Sequence, residues 1–139
     1  MHTEGTFAPE TVAAARERYE SLGPTAQVVV REVARAMGFD REEYRDRVTE
    51  DVVLTARDAL FAGTLAVTVG TREEFEDWRE GYDGEVHVAG SENVDRAAWH
   101  AAPFAGRAVA ATFQNEESAA VGTLRRQSFG RLYRDELHA

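Results

Sequence analysis

Cysteine, lysine and isoleucine are absent from this chain of 139 residues. Without thiols there is no disulfide framework, no cysteine nucleophile and no thiolate metal site, which fits a reducing, cytoplasmic setting. Proline occurs three times, and no Gly/Ser-rich tract, repeat or low-complexity run divides the chain. The length therefore corresponds to one domain over residues 1–139, with residues 1–8 read as a flexible arm. No apolar run approaches the roughly twenty residues needed to cross a bilayer, and Met1 to Glu10 lacks the basic-then-apolar order of a secretion signal. Walker, GxGxxG, GxSxG and HExxH motifs are also missing, so no cofactor, nucleotide or structural metal is expected.

What is abundant is acid. Against 25 Asp and Glu stand 16 basic residues, all of them Arg, for a net charge of -9. Val and Ala replace Ile, and Arg replaces Lys, as GC-rich codons would produce. Codon bias alone does not produce the carboxylates. A surface this acidic repels itself in dilute buffer, and molar salt relieves the repulsion by shortening the screening length to about 3 Å. Together the two biases read as a protein of a salt-loving archaeon, the alternative being an acidic protein of a GC-rich bacterium. Against this background, Arg125, Arg126, Arg131 and Arg134 are a local excess of positive charge.

The first 62 residues read as helices. Pro9 suits a first helical turn, and Val12, Ala15, Tyr19 and Leu22 recur at three- and four-residue steps before Gly23. Ala26, Val29, Val30, Val33, Ala34 and Met37 form the apolar stripe of a second helix. Asp40 with Glu43 makes a capping box for a third, and Thr49 caps a stretch carrying Val53, Ala56, Leu60 and Phe61. Whether Asp40 to Phe61 is one kinked helix or two stays open.

From Thr64 the period changes to two, with Leu65, Val67 and Val69 on one face of a strand. Thr71 and Glu74 cap a helix bearing Phe75, Trp78 and Tyr82. Glu85 to Val88 reads as a second strand, Val94 to Trp99 as a short helix, Arg107 to Gln114 as a third strand and Glu116 to Leu137 as a long helix interrupted by Gly122 and Gly130. The expected fold is α+β: a helical N-terminal half of three to four helices packed on a small three-stranded sheet, closed by a long C-terminal helix. The helix between the first two strands favours a parallel crossover.

The stretches GTFAPETVAAARERYESLGPTAQVVVREVARAMG, VTVGTREEFEDW and TLRRQSFGRLYRDEL resemble a family of small uncharacterised haloarchaeal proteins, classed as a domain of unknown function. The resemblance covers essentially the whole chain. It implies a halophilic setting and transfers no activity or site residue.

Few constellations carry chemistry. Glu73 with Asp77 and Glu76 with Glu80 stand four residues apart on a helix, which reads as a solvated face because no calcium loop accompanies them. His2 and His138 lie in termini read as frayed. His87, Asn93, Trp99 and His100 cluster around the turn after the second strand, where two imidazoles brought together would serve as acid and base in a small-ligand site. Ser91 or Asn93 reads as a helix cap. The bulky rings Trp78, Tyr82, Trp99 and Phe104 read as core anchors.

The leading functional expectation is a noncatalytic protein-interaction or self-associating module. The alternative is a small-ligand binder or enzyme using His87, Asn93, Trp99 and His100, and the third is nucleic-acid binding through the C-terminal arginines. Arg125 and Arg126 are expected to pair with carboxylates of the N-terminal helices, through Glu17, Glu20 or Glu32, or with those of a second subunit.

Overall fold

The computed structural model describes residues 1–139. A short strand β1 (His2–Glu4) opens the chain, followed by the helices α1 (Val12–Ser21), α2 (Gly23–Ala36), α3 (Arg41–Arg47) and α4 (Glu50–Thr64). Then come β2 (Val67–Thr71), α5 (Arg72–Glu80), β3 (Glu85–Ala89), β4 (Arg96–Ala102) and β5 (Arg107–Phe113). The chain ends in α6 (Glu117–Ser128), a π-helical segment (Phe129–Tyr133) and α7 (Arg134–Leu137). No helix is long and apolar enough to cross a membrane.

Local chemistry accounts for most boundaries. Thr11, Asp40, Thr49 and Thr71 each accept a backbone N–H at a helix start, and Asp40 with Glu43 and Thr71 with Glu74 form complete capping boxes. Thr49 splits the Asp40 to Phe61 stretch into two helices. Gly90 turns the chain after β3 with φ of 103°, and a side chain there would collide with Thr112 Oγ1.

The sheet is not the small three-stranded one expected. It has five strands in the order β1-β2-β4-β5-β3. Neither the helical opening nor the three-stranded sheet describes the molecule, for two reasons. Residues 2–4, taken as part of a free arm, pair antiparallel with β2, and Phe7 bridges to Leu65. The segment taken as a short helix at Val94 to Trp99 instead leads into β4, which pairs with β2 on one side and β5 on the other. β2 and β3 are therefore not neighbours, and the parallel pair is β3 with β5. The long C-terminal helix is also corrected. The Phe129 carbonyl accepts from Arg134 N, a five-residue step that widens the helix across Gly130.

Each sheet face buries its own cluster. On one face Val67, Val69, Ala98, Val109 and Ala111 meet Phe61, Leu124, Leu132 and Tyr133 from the helices α4, α6 and the π segment. Phe61 is fully buried, with ring centroids 5.7 Å from Phe7, 5.9 Å from Tyr19, 5.8 Å from Phe129 and 5.2 Å from Tyr133. On the other face Phe75 of α5 covers Ala97, Trp99 and Ala110, with Trp78 packed alongside. The bulky rings expected as anchors thus divide between faces: Trp78 and Trp99 lie on the α5 side, whereas Phe104 packs 5.4 Å from Tyr133.

Candidate functional site

The residues around the turn after β3 do not converge. Asn93 is exposed in an irregular turn, and Ser91 caps no helix; its Oγ accepts from Asn93 N at 3.2 Å. Trp99 and His100 are consecutive in β4, so their side chains leave opposite faces of the sheet. Trp99 joins Phe75 and Trp78, whereas His100 enters the larger core. His87 and His100 share a face, both in register with Val109, which stands between them. Two strand spacings, roughly 9–10 Å, separate them, too far for a shared proton. His87 stands exposed beside a cleft of about 210 Å³, floored by Ala108, Val109 and Leu132 and edged by Glu85, Arg107 and Arg131.

His100 is 1% exposed and satisfied at both nitrogens. Its Nδ1 lies 2.7 Å from the Ala66 carbonyl and its Nε2 lies 2.7 Å from the Tyr133 hydroxyl. A carbonyl only accepts, so Nδ1 carries the proton, and Nε2 accepts from Tyr133. The imidazole is neutral in this arrangement. Burial pushes its pKa below the ordinary value, the Ala66 contact opposes that shift, and the Arg125 charge adds to it. Burial likewise raises the Tyr133 hydroxyl. The π segment brings Tyr133 to this position. The result is a polar contact inside the core, with both groups buried.

Arg125 also acts internally. Its Nε donates to the Leu65 carbonyl at 3.1 Å and its Nη2 to the Glu4 carbonyl at 3.2 Å. The expected carboxylate partners Glu17, Glu20 and Glu32 are not used. Arg126 is exposed and reaches only Thr123 Oγ1, at 3.2 Å. Arg134 lies over the Phe129 ring, 5.6 Å from its centroid. The C-terminal arginines thus point to different tasks and form no single basic face.

The feature that stands apart is apolar and exposed. Other than Met1, every large hydrophobic side chain left exposed falls between residues 28 and 54, on α2, its C-terminal cap, α3 and α4. α2 buries Ala26, Val30 and Ala34 and exposes Val29, Val33 and Met37 at four-residue steps beside them, with Met37 63% exposed. On the other flank of the buried row a groove of about 390 Å³ runs between α2, α3 and α4, lined by Gln27, Arg31, Tyr44, Val53, Leu54 and Arg57 among others. Its far wall is tied to α1. Arg57 Nε donates to the Tyr19 carbonyl at 2.7 Å, with its guanidinium 4.2 Å from the Tyr19 ring centroid, and Tyr19 donates to Asp58 Oδ1 at 2.6 Å. Burial, reinforced by Asp58, raises the Tyr19 hydroxyl, keeping it a donor.

Sequence reasoning placed Val29, Val33 and Met37 in the core stripe and so missed this surface; the width of the stripe, broader than one neighbouring helix covers, was its only signal. No curated protein and no solved structure matches the chain. A model described as a family of unknown function (DUF5809) matches residues 6–134, and the chain belongs to that family.

Proposed function

We propose that this domain is a noncatalytic protein-interaction module that self-associates through the outer face of α2. The observation that carries the reading is the concentration of exposed apolar side chains on one helical layer of an otherwise acidic molecule. A second copy is the favoured occupant because α2 carries charges of both signs along its exposed side. Arg31, Glu32 and Arg35 lie along the same helix, with Arg35 Nη1 already 3.4 Å from Glu32 Oε1, so two such helices offer each other both signs.

The rows of the two copies meet only where salt screens their shared net charge of -9, which ties the association to a salt-rich cytoplasm. In molar potassium chloride, sedimentation velocity should show a dimer for the parent and a monomer for Val29→Glu/Val33→Glu, with unchanged far-UV circular dichroism. A parent that stays monomeric at all concentrations, or a double variant that stays dimeric, rejects the surface. Halophilic character has its own check. The melting temperature should climb from dilute buffer to molar potassium chloride, and a flat or falling curve counts against it.

A second reading keeps a small anionic ligand at the cleft beside His87, favoured by the approach of Arg107 and Arg131 to its apolar floor. Neither arginine has a carboxylate within salt-bridge distance. Binding of such a ligand would respond to Arg131→Gln and not to the α2 double variant. Nucleic-acid binding has the least support, because Arg125 is spent on backbone carbonyls.

A further inference from the structure

We infer that His2, Glu4 and Glu117 form a site for one first-row divalent cation of the zinc class. Strand β1 sends His2 and Glu4 to the same face of the sheet, two residues apart, and the first turn of α6 brings Glu117 over them. His2 Nε2 lies 3.3 Å from Glu4 Oε2 and 3.2 Å from Glu117 Oε2, and one ligand atom from each residue falls within 4.8 Å of the others. Around zinc, bonds of about 2.0–2.2 Å to nitrogen and oxygen set neighbouring ligands about 3.2–3.6 Å apart. The two distances to His2 already match edges of such a coordination sphere.

Charge makes the same point. One imidazole nitrogen faces two carboxylate oxygens, and a single N–H cannot serve both well, whereas a cation accepts all three. The imidazole selects a borderline ion over calcium or magnesium, which prefer all-oxygen sets. Glu117 is also held from behind. Arg96 Nη2 lies 2.6 Å from Glu117 Oε1, and its guanidinium sits 5.0 Å from the Phe113 ring centroid. With Oε1 occupied, Oε2 is the oxygen presented to a metal, the arrangement by which an outer partner orients a ligand. His2 and Glu4 lie before the stretch that matches the family, and Glu117 lies within it. A bound ion would join the edge strand to α6 and leave its solvent side open to water.

Isothermal titration calorimetry of the untagged, metal-free chain with zinc chloride in buffered potassium chloride tests the site. One zinc per chain is expected. His2→Gln and Glu117→Gln should each weaken binding by at least roughly tenfold, and Arg96→Gln by roughly tenfold to a hundredfold through loss of orientation. Glu73→Gln/Asp77→Asn on α5 should leave it unchanged, which separates the site from diffuse binding to acidic surface. Cobalt should give a visible absorption band in the parent that His2→Gln loses. Absence of saturable binding, full-strength binding in His2→Gln, or equal weakening by the α5 double variant overturns the assignment.

Discussion

Replacing Phe61 with Ala should lower the free energy of unfolding by about 3–5 kcal/mol, the range for deleting a buried aromatic ring. The expected loss sits at that level because Phe61 is the common neighbour of four other rings. Phe7 comes from the segment after β1, Tyr19 from α1, and Phe129 and Tyr133 from the π segment. Each meets Phe61 edge-on or nearly so, and these contacts cannot be remade by one neighbour moving inward. Since a domain of this size is stable by only about 5–15 kcal/mol, the variant should be close to unfolded in dilute buffer. Urea denaturation in molar potassium chloride, where the parent is expected to be most stable, gives the comparison. A shift below about 1 kcal/mol would show that the four rings close over the vacancy.

The second large effect is a loss of stability in mild acid, centred on His100. Its folded pKa lies below the ordinary value of 6.5, so in this range the unfolded chain binds a proton that the folded one refuses. The stability contributed by the neutral, doubly bonded imidazole is therefore complete above about 6.5. It declines as pH falls from there toward the folded value, by up to about 1.4 kcal/mol per pH unit. Glu74 and Glu117 are also lowered, Glu74 mainly by its backbone hydrogen bond at Thr71 and Glu117 mainly by its Arg96 contact. Both act below their ordinary value of 4.5. His100→Gln, whose side-chain oxygen can still accept from Tyr133, should flatten the decline below about pH 6.5 while lowering stability at neutral pH. Urea midpoints measured across that range decide it, and an unchanged slope in the variant would assign the acid sensitivity elsewhere.

How far the fold could be read in advance depended on whether a strand carried an alternating pattern or strand-forming side chains; β5 is as buried as β4 but carries Val109, Thr112 and Phe113. β2 and β5 were legible from Val67 and Val69 and from the stretch after Gly106, and the capping boxes at Asp40 and Thr71 fixed two helix starts. β4 was not, because it reads Arg-Ala-Ala-Trp-His-Ala-Ala and is buried on both faces along most of its length. Alternation vanishes in such a strand, and its alanines carry the strongest helix preference of any residue. β1 is three residues long, too short to show a period.

The candidate surface was hidden by the opposite problem. Ala26, Val30 and Ala34 cannot be told from Val29, Val33 and Met37 by spacing, since both rows belong to one wide apolar stripe, and only the position of α4 decides which row is covered. His100 and Tyr133 meet because a π segment displaces the end of the last helix, a widening that no spacing of apolar residues encodes.

The clasp between Arg125 and the Glu4 carbonyl spans 121 residues of chain. At synthesis rates of about 5–20 residues per second, the first strand leaves the ribosome roughly 6–24 s before the arginine that holds it. β4, the inner neighbour of β2, also emerges after β1 and β2 have been made. During that interval β1 and β2 form at most a lone two-stranded ribbon, which is marginal in water. The nascent chain therefore carries an unprotected sheet edge until β4 and then Arg125 have been added, and its yield in a cell should depend on what shields that edge in the interval.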